Sequence, residues 1–239
     1  QDDMTLLSQD LPEGISVSLS ATGTEGYVLS GNLSGTYPAA TYHITGDLTI
    51  ASFEIVYLQP GTEFLFDGDV NFIIDVFGTL QAIGTESDSI IFRKYGDERW
   101  RGFTLDQASP ETIFEYVKIS GADKSDPSGD DDEEGGGMLL VLSDPTLNHV
   151  TISGNTASFG GGGIRLYSSD PILTHVNISN NQTNFGGGGM YLTYSNPILT
   201  HVTINANAAE DEGGGMYLYS SNPILTHVTI RDNIAQEVG

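Results

Sequence analysis

Short runs in which apolar and polar residues alternate, broken by glycine, asparagine and proline, dominate the chain from Thr41 onward. In the last 105 positions this pattern becomes periodic. Gly135-Gly136-Gly137-Met138, Gly161-Gly162-Gly163-Ile164, Gly187-Gly188-Gly189-Met190 and Gly213-Gly214-Gly215-Met216 recur every 26 residues without insertion or deletion. Pro145, Pro171, Pro197 and Pro223 share a position, as do His149, His175, His201 and His227, and Asn155, Asn181, Asn207 and Asn233. A fixed period of this length means stacked, equivalent units.

Within each copy, runs such as Met190-Tyr191-Leu192-Thr193 and His201-Val202-Thr203-Ile204 have the alternation of strands, and Ser195-Asn196-Pro197 and Asn205-Ala206-Asn207 have turn chemistry. Two or three strands in 26 residues cannot form a free-standing sheet, but they suit one rung of a coil stacked about 4.8 Å from the next. The missing indels follow, because one extra residue would turn every later side chain from core to solvent. The predicted fold is all-β, a right-handed parallel β-helix (solenoid). Val150, Val176, Val202 and Val228, with Ile152, Ile178, Ile204 and Ile230, should stack as inward columns, and alternation should send the histidines outward. Proline, lacking a donor, belongs at a corner. Asparagine suits corners too, since it tolerates the left-handed conformation and its amide can bond from rung to rung.

At these residues the chain resembles the right-handed parallel β-helix repeat proteins of bacterial surfaces, within the pectin-lyase-like superfamily, and is similar to the polymorphic membrane protein adhesins. Those adhesins carry a GGA-plus-aliphatic and a Phe-x-x-Asn tetrapeptide. Here Gly-Gly-Gly-Met or Gly-Gly-Gly-Ile stands for the first, and Ile152-Ser153-Gly154-Asn155 with its three equivalents stands for the second. The resemblance implies a surface β-helix with an adhesive or structural role.

Four segments are expected: a cap or edge-strand segment over 1–40, irregular coils over 41–121, an acidic insertion over 122–134, and four regular repeats over 135–239. Residues 41–239 should make about eight coils, a rod on the order of 40 Å long. No helix is predicted.

Thirty-two acidic against eight basic residues give a net charge of −24. That excludes nucleic-acid binding and disfavours anionic membranes. Cysteine is absent, which removes disulfides, thiolate metal sites and a cysteine nucleophile. No apolar run is long enough to cross a membrane as a helix, and a chain that starts Gln1-Asp2-Asp3 reads as a processed, secreted or surface-exposed product.

Four candidate sites emerge. Asp126, Asp130, Asp131, Asp132, Glu133 and Glu134 could supply oxygens to Ca²⁺, with Gly129 allowing a sharp turn; the spacing fits no known calcium loop, a solvated insertion is the plainer reading, and no further cofactor is implied. The histidine ladder could hold a transition metal, although rung-spaced rings must rotate to converge on one ion. Arg93, Lys94, Arg99 and Arg101 cluster around Trp100 as a polysaccharide lyase would need, but without an accompanying hydrolase motif. Tyr191, Tyr217 and Tyr219 could stack on sugar rings.

The function expected is a non-enzymatic, extracellular structural or adhesive rod with a glycan or cell-surface ligand. A carbohydrate-binding or carbohydrate-cleaving β-helix is the alternative. Because Gly239 would open a further coil, Val228 and Ile230 should form an exposed end on which copies stack head to tail into a filament.

Overall fold

A computed structural model describes residues 26–66, 72–96, 99–125 and 135–237. It contains strands and no helix among these residues, from Tyr27–Asn32 to Ile234–Ala235, and the strand pairs are parallel. Successive coils stack into a β-helix of about seven turns, seen most simply in an eight-stranded sheet that runs from Gly35–Tyr37 to Ile224–Thr226. Tyr27–Asn32 and Gly35–Tyr37, within the stretch read as a cap or edge strands, pair with Thr41–Ile50 and Ile55–Leu58.

Each regular coil has four strands, not two or three. Met138–Val141 lies on a first face, Thr146–Asn148 on a second, Thr151–Ser153 on a third, and Thr156–Ala157 makes a short fourth. All four repeat in strict 26-residue register, for example Met138 on Ile164, Ile164 on Met190 and Met190 on Met216. The long strand Thr41–Ile50 pairs by its first half with Glu63–Phe66 and by its second with Ile74–Val76, so it joins the first and third faces.

The inward columns are as the alternation requires. Val150, Val176 and Val202 are 1% exposed, and Ile152, Ile178 and Ile204 are fully buried. Burying such a side chain contributes about 1.5–3 kcal/mol. Earlier coils are filled instead by rings: Phe92 packs edge-on against Phe64 and Phe103, and Trp100 stacks on Phe66 at 4.2 Å while its indole N–H donates to Ser120 O.

Two expectations about the corners need correction. The histidines point outward, but not as members of an alternating strand. His149, His175, His201 and His227 have φ of 53° to 55° and form the bend between second and third faces, with strand structure resuming at Thr151, Asn177, Thr203 and Thr229. The ladder asparagines, unlike the histidines, are not left-handed; their predecessors Gly154, Asn180, Ala206 and Asp232 are. That turn drives Asn155, Asn181 and Asn207 inside, where the amides do bond from rung to rung. Asn181 Oδ1 accepts from both the backbone N–H and the Nδ2 of Asn155 at 3.0 Å, and Asn181 Nδ2 donates to Asn207 Oδ1 and to Ile152 O at 3.0 Å.

Hydroxyls do the same at the corner after the first face. Ser169 Oγ accepts from Ser143 N–H, and Ser195 Oγ accepts from Ser169 N–H. Pro171 sits buried just beyond, its carbonyl accepting from Ile198 N–H, at the corner its missing donor predicts. The glycine triplets serve close approach: a Cβ on Gly162 or Gly188 would lie within 2.5 Å of backbone atoms of the next coil.

Candidate functional site

The outer surface of the first face in the regular coils is aromatic. Because Met190 and Leu192 point inward, Tyr191 and Thr193 point outward, and the register builds the columns Arg165, Tyr191, Tyr217 and Tyr167, Thr193, Tyr219. Tyr191 stacks on Tyr217 at 4.6 Å, and the Arg165 guanidinium lies 3.8 Å from the Tyr191 ring centroid. Phe159 and Phe185 stack at 4.8 Å along one edge. Along the other, Tyr194 packs perpendicular to both Tyr167 and Tyr219, and the nearby Tyr219 phenol raises its pKa above the ordinary value. Tyr191, Tyr217 and Tyr219 were legible as an outward set. Tyr194 was not, since its column otherwise holds Leu142, Ser168 and Ser220; the left-handed φ of 51° at Tyr194 swings it onto the same edge.

A second, polar grouping lies on the first face of the irregular coils. Asp75 stands between inward Ile74 and Val76, and Asp47 of the preceding coil accepts the Ile73 N–H at 3.2 Å. Burial, reinforced by the negative charge of Asp47, holds the Asp75 carboxyl above its ordinary range, while Lys124 and Arg101 draw it back. Lys124 is only 2% exposed. A partly buried carboxyl whose affinity for its proton is raised, set beside two cations, is a group suited to proton exchange. Neither Asp47, Asp75 nor Lys124 was singled out from sequence, because these coils do not repeat and nothing in them shows which residues share a rung.

The basic cluster inferred around Trp100 is dispersed. Trp100 is buried, Arg93 Nε pairs with Glu63 at 2.7 Å, and Arg99 pairs with Asp123 at 3.3 Å and donates to Ser125 O. Only Arg101 faces Asp75.

The histidines form a continuous exposed stack, headed by Tyr116, with ring centroids 4.6 to 4.9 Å apart. Face-to-face rings aim their nitrogens alongside one another and not at a common point. Among the described residues no group of three or more His, Asp or Glu is placed to hold a metal ion. The expected calcium ligands Asp126, Asp130, Asp131, Asp132, Glu133 and Glu134 lie outside the described residues, as does Gly239. Of the assembly residues, Val228 packs half-buried on the core and Ile230 is 48% exposed, beside Leu225 at 47%. No described helix is long and apolar enough to cross a membrane.

Comparison with known proteins agrees with this architecture. The family model described as right handed beta helix region matches residues 102–238, more than half of the chain. No curated protein and no solved structure matches. The match runs from within the strand Trp100–Asp106 through the regular repeats to residue 238, and the chain belongs to the right-handed β-helix family.

Proposed function

We propose that this chain is a rigid extracellular rod that acts by binding, and that the tyrosine-rich first face of its regular coils holds a glycan. The observation that carries this reading is the concentration of aromatic rings on one outer face, in the columns of Tyr191 and Tyr219 and along the flanking edges at Phe185 and Tyr194. Tyrosine presents a large amphipathic surface at low entropic cost, with a ring for the apolar side of a sugar and a phenol for its hydroxyls. The amide and hydroxyl ladders beneath hold the array at rung spacing, so little ordering is required on binding.

A second reading, polysaccharide cleavage, is favoured by one observation, the partly buried Asp75, with its pKa raised, beside Lys124 and Arg101. Affinity electrophoresis through gels containing neutral, amine-bearing and acidic polysaccharides, run with an assay for released reducing ends and unsaturated products, separates the two. Binding predicts retardation without product, reduced by Tyr191→Ala combined with Tyr219→Ala. Product release that disappears in Asp75→Asn would overturn it in favour of cleavage, and migration unaffected by every polysaccharide would overturn both.

A further inference from the structure

We infer that one edge of the tyrosine-bearing face is a subsite for an organic cation, and that the glycan held there is built of amine-bearing sugars, hexosamine units with a free ammonium group. This rests on the glycan-binding reading above and specifies its ligand.

Along that edge the same rung position is occupied in turn by Phe159, Phe185, Asp211 and Glu237. These residues are adjacent in space: Asp211 N–H donates to Phe185 O at 3.1 Å and Glu237 N–H to Asp211 O at 3.3 Å. The aromatic stack therefore ends at Phe185, and the next two rungs carry carboxylates. The neighbouring position changes at the same rung, from Gly160 and Gly186 to Glu212. The result is a cleft of about 370 Å³, lined by Phe185, Gly186, Asp211, Glu212, Tyr217 and Glu237. Two rings and three carboxylates thus line one opening. Gly186 helps to keep it open, since a Cβ there would lie 3.2 Å from Glu212 O and 3.4 Å from the Tyr217 ring.

The adjoining aromatic column already accepts a cation. Arg165 lies 3.8 Å from the Tyr191 ring centroid, and Tyr191 in turn stacks on Tyr217, one wall of the cleft. Rung spacing on this face is therefore compatible with cation–π contact. A free hexosamine uses both parts of the cleft, its apolar ring face against the aromatic wall and its ammonium group among the carboxylates. A neutral sugar can donate its hydroxyls to the carboxylates but brings no charge to offset the three negative charges gathered there. A uronate polymer would meet three like charges on a chain of net charge −24.

The test is calorimetric titration of the whole chain at physiological salt with chitosan-type glucosamine oligomers, their fully N-acetylated counterparts, oligogalacturonate and oligolysine of matched length. The glucosamine oligomer should bind at least about tenfold more tightly than the acetylated one. Glu212→Gln, at an exposed position, should remove most of that preference while leaving binding of the acetylated oligomer within about twofold. Phe185→Leu, which keeps apolar volume but not the ring, should weaken both. Equal affinity for the two sugars would overturn the cation subsite and leave glycan binding standing. Oligolysine binding as tightly as glucosamine would overturn the sugar ligand in favour of a basic peptide. Failure of every glycan would remove the glycan-binding reading together with this inference.

Discussion

The residues that hold the coils together are polar and internal. Asn181 makes four amide hydrogen bonds within the stack, so Asn181→Ala would leave the Asn155 N–H unpaired inside the core and take one bond each from Asn155 Nδ2, Asn207 Oδ1 and the Ile152 carbonyl. Unpaired buried groups cost about 1–3 kcal/mol each, and we expect a loss of about 3–5 kcal/mol, read by denaturant unfolding. The histidine bend behaves differently. His175→Gly should stay within about 1 kcal/mol of wild type, because relief of the left-handed backbone offsets the lost ring stack, whereas β-branched His175→Val should cost more than about 2 kcal/mol. Equal losses in the two variants would show that stacking, and not the bend, sets the residue. Repetition made both ladders legible in sequence, but not their local geometry: for asparagine the left-handed turn falls one residue earlier, at Asn180, and that displacement buries the amide of Asn181.

The raised carboxyl at Asp75 gives a signed dependence on pH. A group that holds its proton more tightly when folded contributes stability below its unfolded pKa, and this is lost as pH rises through its folded value. Asp47→Asn removes the like charge that helps to raise it. The variant should therefore match wild type in strong acid and melt at a higher temperature once Asp75 ionises. A variant less stable than wild type above that point would contradict the assignment.

At the scale of the coil, the 26-residue period carried the register almost completely. The pairing of Leu192 with Leu166 and Leu218 follows from counting alone. One residue inserted after Leu192 should turn the following strand residue inward and break pairing on both sides, abolishing the single cooperative transition in thermal unfolding. An unchanged transition would mean that the coils do not depend on register. The earlier coils were legible as strands but not as rungs. There the strand Thr41–Ile50 serves two faces, and the acidic stretch lies between ladder positions that pair on either side of it, Asp123 with Thr156 and Met138 with Phe103. Neither arrangement has a period, so Asp47, Asp75, Arg101 and Lys124 meet only in three dimensions.

For the whole molecule, the account separates a scaffold from a working surface. The scaffold is the stack of apolar columns and amide ladders, and the proposed working surface is the outer first face of the regular coils. Tyr191, Tyr217 and Tyr219 belong to it by alternation alone, while Phe185, Asp211 and Glu212 join it through the glycine-turn edge that carries their columns. The most direct test is to map the bound glycan by chemical-shift perturbation in NMR spectra of the isotopically labelled chain. The account predicts shifts concentrated at Phe185, Tyr191, Tyr194, Tyr217 and Tyr219, with the Asp75 cluster and the histidine stack unmoved. Shifts centred instead on Asp47, Asp75, Arg101 and Lys124 would contradict it and place the ligand on the polar coils.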